Sequence, residues 1–249
     1  AIRAALMDAI MKSPAMHWIN GICSTMASLD PWCFPEEQLL QIHRRIAEET
    51  HRPGPFLPMG GAMPEKFDAP QGSLCHDIRP QGFAMGAWLA AWAGLGVRRL
   101  PYGLALRPTR AFDRLSDYPW HGKTLQFAFQ ASGGTPLLSV NGTPVPRSLQ
   151  IPEQLLRNGP NNVILAGGGT EPLLLRSTVQ LDNVREADEQ VTYAITAFGL
   201  SDVVFSQWPG RLDIRDADGS DIPHDVVTED NLTIARFTHR GRAEVVCAR

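Results

Sequence analysis

Long apolar runs are missing from this chain: no stretch reaches the roughly 18 to 20 consecutive apolar residues that a bilayer-spanning helix requires. No membrane partner is expected. A basic excess is missing too, with 23 Lys and Arg against 26 Asp and Glu and a formal net charge of -3, which argues against nucleic acid as a partner. Cysteine is scarce. The four residues Cys23, Cys33, Cys75 and Cys247 show no CxxC and no Cys/His metal spacing. Buried thiols are the expectation, with a Cys23 to Cys33 bridge left open because both flank one turn. No cofactor is implied. The opening residues AIRAALMDAIMKSPAMHW lack an initiator Met and lack the charged, apolar and small-residue succession of a signal peptide, so Ala1 is expected to be an internal or processed start. The sequons Asn141-Gly-Thr143 and Asn231-Leu-Thr233 are short enough to arise by chance and carry no inference.

What the chain has is 249 residues, 43% apolar and 20% charged, enough for one large domain or two smaller ones with a real core. Its character changes near residue 100. Before that point apolar residues recur with helical spacing: Ile2, Ala5, Leu6 and Ile10, then a run from Met16 to Leu29, then Leu39, Ile42 and Ile46 after the helix start Pro35-Glu36-Glu37. A loop dense in Pro and Gly follows over His51 to Gly72, and Pro80 opens a helix from Gln81 to Leu95 rich in Ala and Trp. From Leu104 onward the period is two. Candidate strands are 124–129, 137–140, 162–166, 173–181, 191–198, 203–206, 211–215, 232–237 and 243–247, and Asn141-Gly142 is the strongest hairpin signal. The pattern predicts an α+β chain with segregated halves, a helical segment over 1–98 and an antiparallel β-sandwich region over 99–249, divided into two small sheets at about residue 170. Trp120, Tyr193, Phe198 and Trp208 on the strands are expected as core or rim aromatics.

The segment from Gly60 to Trp92 carries the chemistry. Pro64 fixes its own φ and restrains Met63, so Glu65 leaves the loop in a restricted direction. A carboxylate held that way suits acid/base work. His76-Asp77 has no third ligand at metal spacing. Asp30, in Leu29-Asp30-Pro31-Trp32, reads as a turn residue.

The order of helix, Gly/Pro loop bearing Met63-Pro64-Glu65-Lys66-Phe67-Asp68, apolar helix and sandwich resembles the closing section of the (α/α)6-toroid glycoside hydrolases: glucoamylase, trehalase, mannosyl-oligosaccharide glucosidase and the amylo-1,6-glucosidase module of glycogen debranching enzymes. The resemblance implies the last helices of an incomplete toroid followed by the sandwich. Glu65 would be the general base of an inverting hydrolysis, and Trp18, Trp32, His76, Asp77 and Gln81 would contact the sugar. The expected partner is an oligosaccharide or glycoside substrate. Twelve toroid helices need about 300 residues, so the general acid and the missing N-terminal helices are expected upstream or on a complementary chain. The final helix departs from its counterparts, opening on Gly82-Phe83-Ala84-Met85 where several relatives have Ser-Trp or Ala-Trp. Two other readings remain: a noncatalytic carbohydrate-binding or interaction module, and a phosphorylase or rhamnosidase relative, the phosphorylase being one that replaces activated water by phosphate.

Overall fold

A computed structural model describes residues 67–68, 73–74, 96–109, 113–130, 134–171, 173–207, 210–229 and 231–248. The chain divides into two units, Ala1–Gly96 and Val97–Arg249. In the first, β1 (Phe67–Asp68) pairs antiparallel with β2 (Ser73–Leu74), Phe67 opposite Leu74 and Asp68 opposite Ser73. β1 thus falls inside the stretch read as a Pro/Gly loop, His51 to Gly72, and β2 directly after it.

The second unit opens with the hairpin of β3 (Val97–Leu100) and β4 (Gly103–Leu106). All four residues of β4 are buried, the near-continuous apolar pattern of a strand covered on both faces. Its backbone is also satisfied from outside the hairpin, because Leu106 N donates to Leu149 O at 2.7 Å and Ile151 N donates to Leu104 O at 2.8 Å. A five-stranded sheet follows, built from β5 (Arg114–Trp120), β6 (Lys123–Phe129), β7 (Pro136–Val140), β8 (Thr143–Val145) and β9 (Pro160–Gly167) in the order β5-β6-β9-β7-β8. Alternation decides which face is inside: Leu125, Phe127 and Phe129 of β6 are buried, and the residues between them are partly open. Asn141 and Gly142 turn β7 into β8 with φ of 53° and 83°, the two positive angles that a tight type I′ hairpin requires. The Asn141 amide is also spent on structure, donating to Leu155 O and to Asn161 Oδ1, both at 2.9 Å.

The remaining strands form a six-stranded sheet around two long ones: β10 (Leu174–Ser177), β11 (Gln180–Ala187), β12 (Gln190–Phe205), β13 (Arg211–Asp216), β14 (His224–Glu229) and β15 (Leu232–Ala248). β12 and β15 pair without a break from Gln190 opposite Ala248 to Phe205 opposite Thr233. Their outer neighbours change part-way. β11 and β13 flank the end that begins at Gln190, whereas β10 and β14 flank the end that begins at Phe205. Between the two ends lie Gly199 (φ 140°) and Gly241 (φ 112°), in backbone regions that side chains disfavour and that let a strand bend without ending. Residues from both ends, among them Leu181, Tyr193, Ile195, Phe205, Ile214, Phe237 and Val245, share one core. The result is one six-stranded sheet whose two ends share a core, sandwich-like in its packing.

The α+β expectation is corrected. Among the described residues there is no α-helix, only strands, turns and the single 3-10 turn Glu153–Leu155. No toroid helix is seen, and the helices read over 2–12, 16–29, 36–50 and 81–95 lie outside the described residues. The β region differs in detail from expectation. The strand read over 173–181 is two strands, because the chain passes from β10 to β11 at Thr178-Val179; 191–198 and 203–206 are one strand, as are 232–237 and 243–247. Gly199 and Gly241 look like stops in sequence but act as bends. The β6–β9 pair is parallel, so the sheet is mixed rather than purely antiparallel.

Candidate functional site

The six residues expected to form a sugar site, Glu65, Trp18, Trp32, His76, Asp77 and Gln81, all lie outside the described residues. What is described is the ladder that their segment contains. Glu65 precedes β1 by two positions and His76 follows β2 by two, and the ladder holds Phe67 opposite Leu74. Carried outward by the same step on each strand, that register makes Glu65 and His76 counterparts in sequence, with Asp77 next in line. The ladder itself fixes only Phe67, Asp68, Ser73 and Leu74.

A second feature, missed in sequence, lies on the outward face of the bent sheet. Along β12 the odd positions Val191, Tyr193, Ile195, Ala197, Ser201, Val203 and Phe205 are buried, so the even ones from Gln190 to Asp202 face outward, whereas Val204 is buried as well. Phe198 and Leu200 stand on that outer row, 45% and 72% exposed. The ring of Tyr102, at the β3–β4 turn and 41% exposed, stacks on Phe198 with centroids 4.1 Å apart. Directly opposite on β15, Arg240 faces Phe198, Thr238 faces Leu200 and Arg242 faces Thr196, and all three β15 residues are exposed. Opposed positions on one face place their Cβ atoms about 4.5–5.5 Å apart. Two anchored acids frame the row: Asp202 is paired with Arg236 at 2.8 Å, and Asp182 accepts from Thr196 Oγ1 at 2.7 Å and from Gln180 Nε2 at 2.6 Å. The readable signal was parity, since Phe198 and Leu200 occupy the polar phase of their strand. Of the other strand aromatics, Tyr193 and Trp120 are buried as expected, and Trp208 lies outside the described residues.

The buried polar groups serve the fold. Arg147 sits in the left-handed region (φ 48°), donates from Nε to Glu186 at 2.7 Å and from Nη1 to Glu171 O at 3.1 Å. Its carbonyl accepts from the Tyr193 hydroxyl at 2.8 Å and from Leu174 N at 2.9 Å. This one residue ties three segments together. Burial, and then the nearby Cys247, raises the Tyr193 hydroxyl well above the ordinary phenol range. Burial likewise pushes the Cys247 thiol up to about 12, against the pull of Arg147. Both stay protonated at neutral pH and are suited to packing rather than proton transfer. Among the described residues no three His, Cys, Asp or Glu side chains are grouped to hold a metal ion, and no helix is long and apolar enough to cross a membrane.

Comparison of the chain with protein-family models, with curated proteins and with solved structures returned no match.

Proposed function

We propose that this chain is part of a glycoside hydrolase acting by direct displacement, with Glu65 as the general base. The observation that supports the reading is the β1–β2 ladder, which pairs Phe67-Asp68, two positions after Glu65 in sequence, with Ser73-Leu74, two positions before His76. Only a base tethered near its hydrogen-bonding partners works on a positioned water. In this reaction Glu65 takes a proton from water as the water oxygen attacks the anomeric carbon, the glycosidic C–O bond breaks, and a second carboxyl protonates the departing oxygen. An inverting pair stands about 6.5–9.5 Å apart to leave room for that water. The reading leaves the acid to a further helical part of the protein or to a complementary chain. His76, Asp77 and Gln81 hold sugar hydroxyls, and Trp18 and Trp32 give the C–H faces a flat apolar surface.

A further reading, in which the β unit binds carbohydrate without catalysing its cleavage, is favoured by the exposed Tyr102–Phe198 stack. The two are compatible in one protein. A phosphorylase would need a basic pocket for phosphate in place of a base, and Glu65 disfavours it. The test is product stereochemistry. The full-length protein is incubated with a panel of nitrophenyl glycosides and disaccharides, and the first-formed sugar is followed by proton NMR. The expected product has the anomeric configuration opposite to its substrate; a product of retained configuration, or no turnover of any glycoside, removes the reading.

A further inference from the structure

The outward face at the bend of β12 and β15 combines two chemistries that rarely meet by accident. Tyr102, Phe198 and Leu200 expose apolar surface, and aromatic rings lying open on a sheet are an unfavourable use of area unless something covers them. Beside them stand Arg240 and Arg242, neither of which has an ion-pair partner among the described residues, whereas Arg236 of the same row is neutralised by Asp202. The patch thus carries two uncompensated guanidinium groups on a chain whose formal net charge is -3.

We propose that this face is a binding site for an acidic oligosaccharide, a chain of uronic acid units. A pyranose ring lays its C–H face on the Phe198–Tyr102 stack, as flat apolar groups do on aromatic surfaces. The uronate carboxylate projects from the edge of that same sugar ring. Arg240, directly opposite Phe198 in register, stands at that edge and offers a planar fork that matches a carboxylate with two hydrogen bonds. Arg242, two residues on and facing the same way, meets the carboxylate of a neighbouring unit. Charge complementarity selects the acid and the stack selects the sugar. Nucleic acid is the poorer fit, because two cations are few beside the roughly 6 to 10 phosphate contacts of a typical duplex binder.

Choosing a glycan over other anions rests on the carbohydrate reading above, but the two fail separately. Binding of oligogalacturonate to the full-length protein is measured by calorimetry for the parent, Phe198→Ala, the double variant Arg240→Gln/Arg242→Gln, and Val227→Thr, an exposed change on β14 outside the patch. The expected result is salt-sensitive binding that weakens at least about tenfold in Phe198→Ala and in the double variant, is unchanged in Val227→Thr, and is absent for the neutral methyl-esterified oligomer. Each variant is accepted only if its melting curve overlays that of the parent. Where Phe198→Ala does not fold, Phe198→Thr replaces it, with the same expectation. Absence of binding, equal binding of the neutral oligomer, indifference to both patch variants, or tighter binding of single-stranded DNA or of an acidic peptide overturns the proposal. Oligogalacturonate binding through Phe198 in a protein without hydrolytic activity keeps this site and removes the hydrolase. Inverting hydrolysis without uronate binding does the reverse.

Discussion

Cys247 shows how a single buried side chain writes itself into the stability of the molecule. Its thiol is pushed from the ordinary 9 to about 12, chiefly by burial. Between those values the unfolded chain releases the proton and the folded chain keeps it, so stability is fully present below about pH 9 and falls as pH rises towards 12. The slope from one such group is about 1.4 kcal/mol per pH unit, and Tyr193, raised by the same burial, adds to it at the upper end. Urea unfolding at pH 8, 9, 10 and 11 is therefore expected to show a falling midpoint that is shallower in Cys247→Val. Identical slopes in the two proteins would refute the assignment. At this scale the sequence was partly legible. It placed Cys247 among buried thiols and Tyr193 in the core, because both occupy the apolar phase of a strand. It could not show Arg147 as a junction, since nothing local marks a residue whose partners, Glu186, Glu171, Tyr193 and Leu174, lie 24 to 46 positions away. Nor could it show that the Asn141 amide is engaged by Leu155 and Asn161, which makes that sequon an architectural asparagine.

Among elements, the long strands carry the design. β12 and β15 remain paired through 16 opposed positions, and their bend depends on Gly199 and Gly241. A Cβ at Gly199 meets nothing within 4 Å, so the cost of substitution is backbone strain alone. Gly199→Ala is expected to lower stability by about 1–3 kcal/mol without opening a cavity or introducing a clash, read as a drop in the urea midpoint with an unchanged m-value. No drop would mean that the bend does not require a positive φ. Strand alternation made β6, β7 and the first half of β12 readable from sequence, and Asn141-Gly142 gave the turn. Of the strands that escaped, three show the physical reason most plainly. β5 carries Pro119 and an irregular step between Leu115 and Tyr118, which breaks the period. β14, His224–Glu229, is half-buried at its first residue and exposed at every other, so no buried phase exists to detect. β4 is buried throughout and lacks alternation altogether. Glycine misled in the opposite direction: it is the commonest sign of a strand end, and here it sits mid-strand.

For the whole molecule, the two units differ in what they contribute. The strands of Val97–Arg249 form a packed scaffold whose buried ionisable groups keep their protons, with a cationic aromatic patch on its surface. Glu65, the carboxylate proposed above as the base, belongs to the Gly60–Trp92 segment in the other unit, in which β1 (Phe67–Asp68) pairs with β2 (Ser73–Leu74). The expected toroid does not appear among the described residues, and the helical spacing that suggested it is a local pattern that does not dictate how elements assemble. The motif-level resemblance around Met63-Pro64-Glu65 does not depend on that architecture, because a general base is defined by its reach to a water, not by its scaffold. The most direct measurement is the rate of glycoside hydrolysis by the full-length protein beside its Glu65→Gln variant, which keeps the side chain's size and hydrogen bonding and removes its capacity to take a proton. With folding of both verified by circular dichroism, kcat is expected to fall by about 10²- to 10⁴-fold with KM little changed; a kcat retained within a few-fold would contradict the assignment of Glu65 as the base.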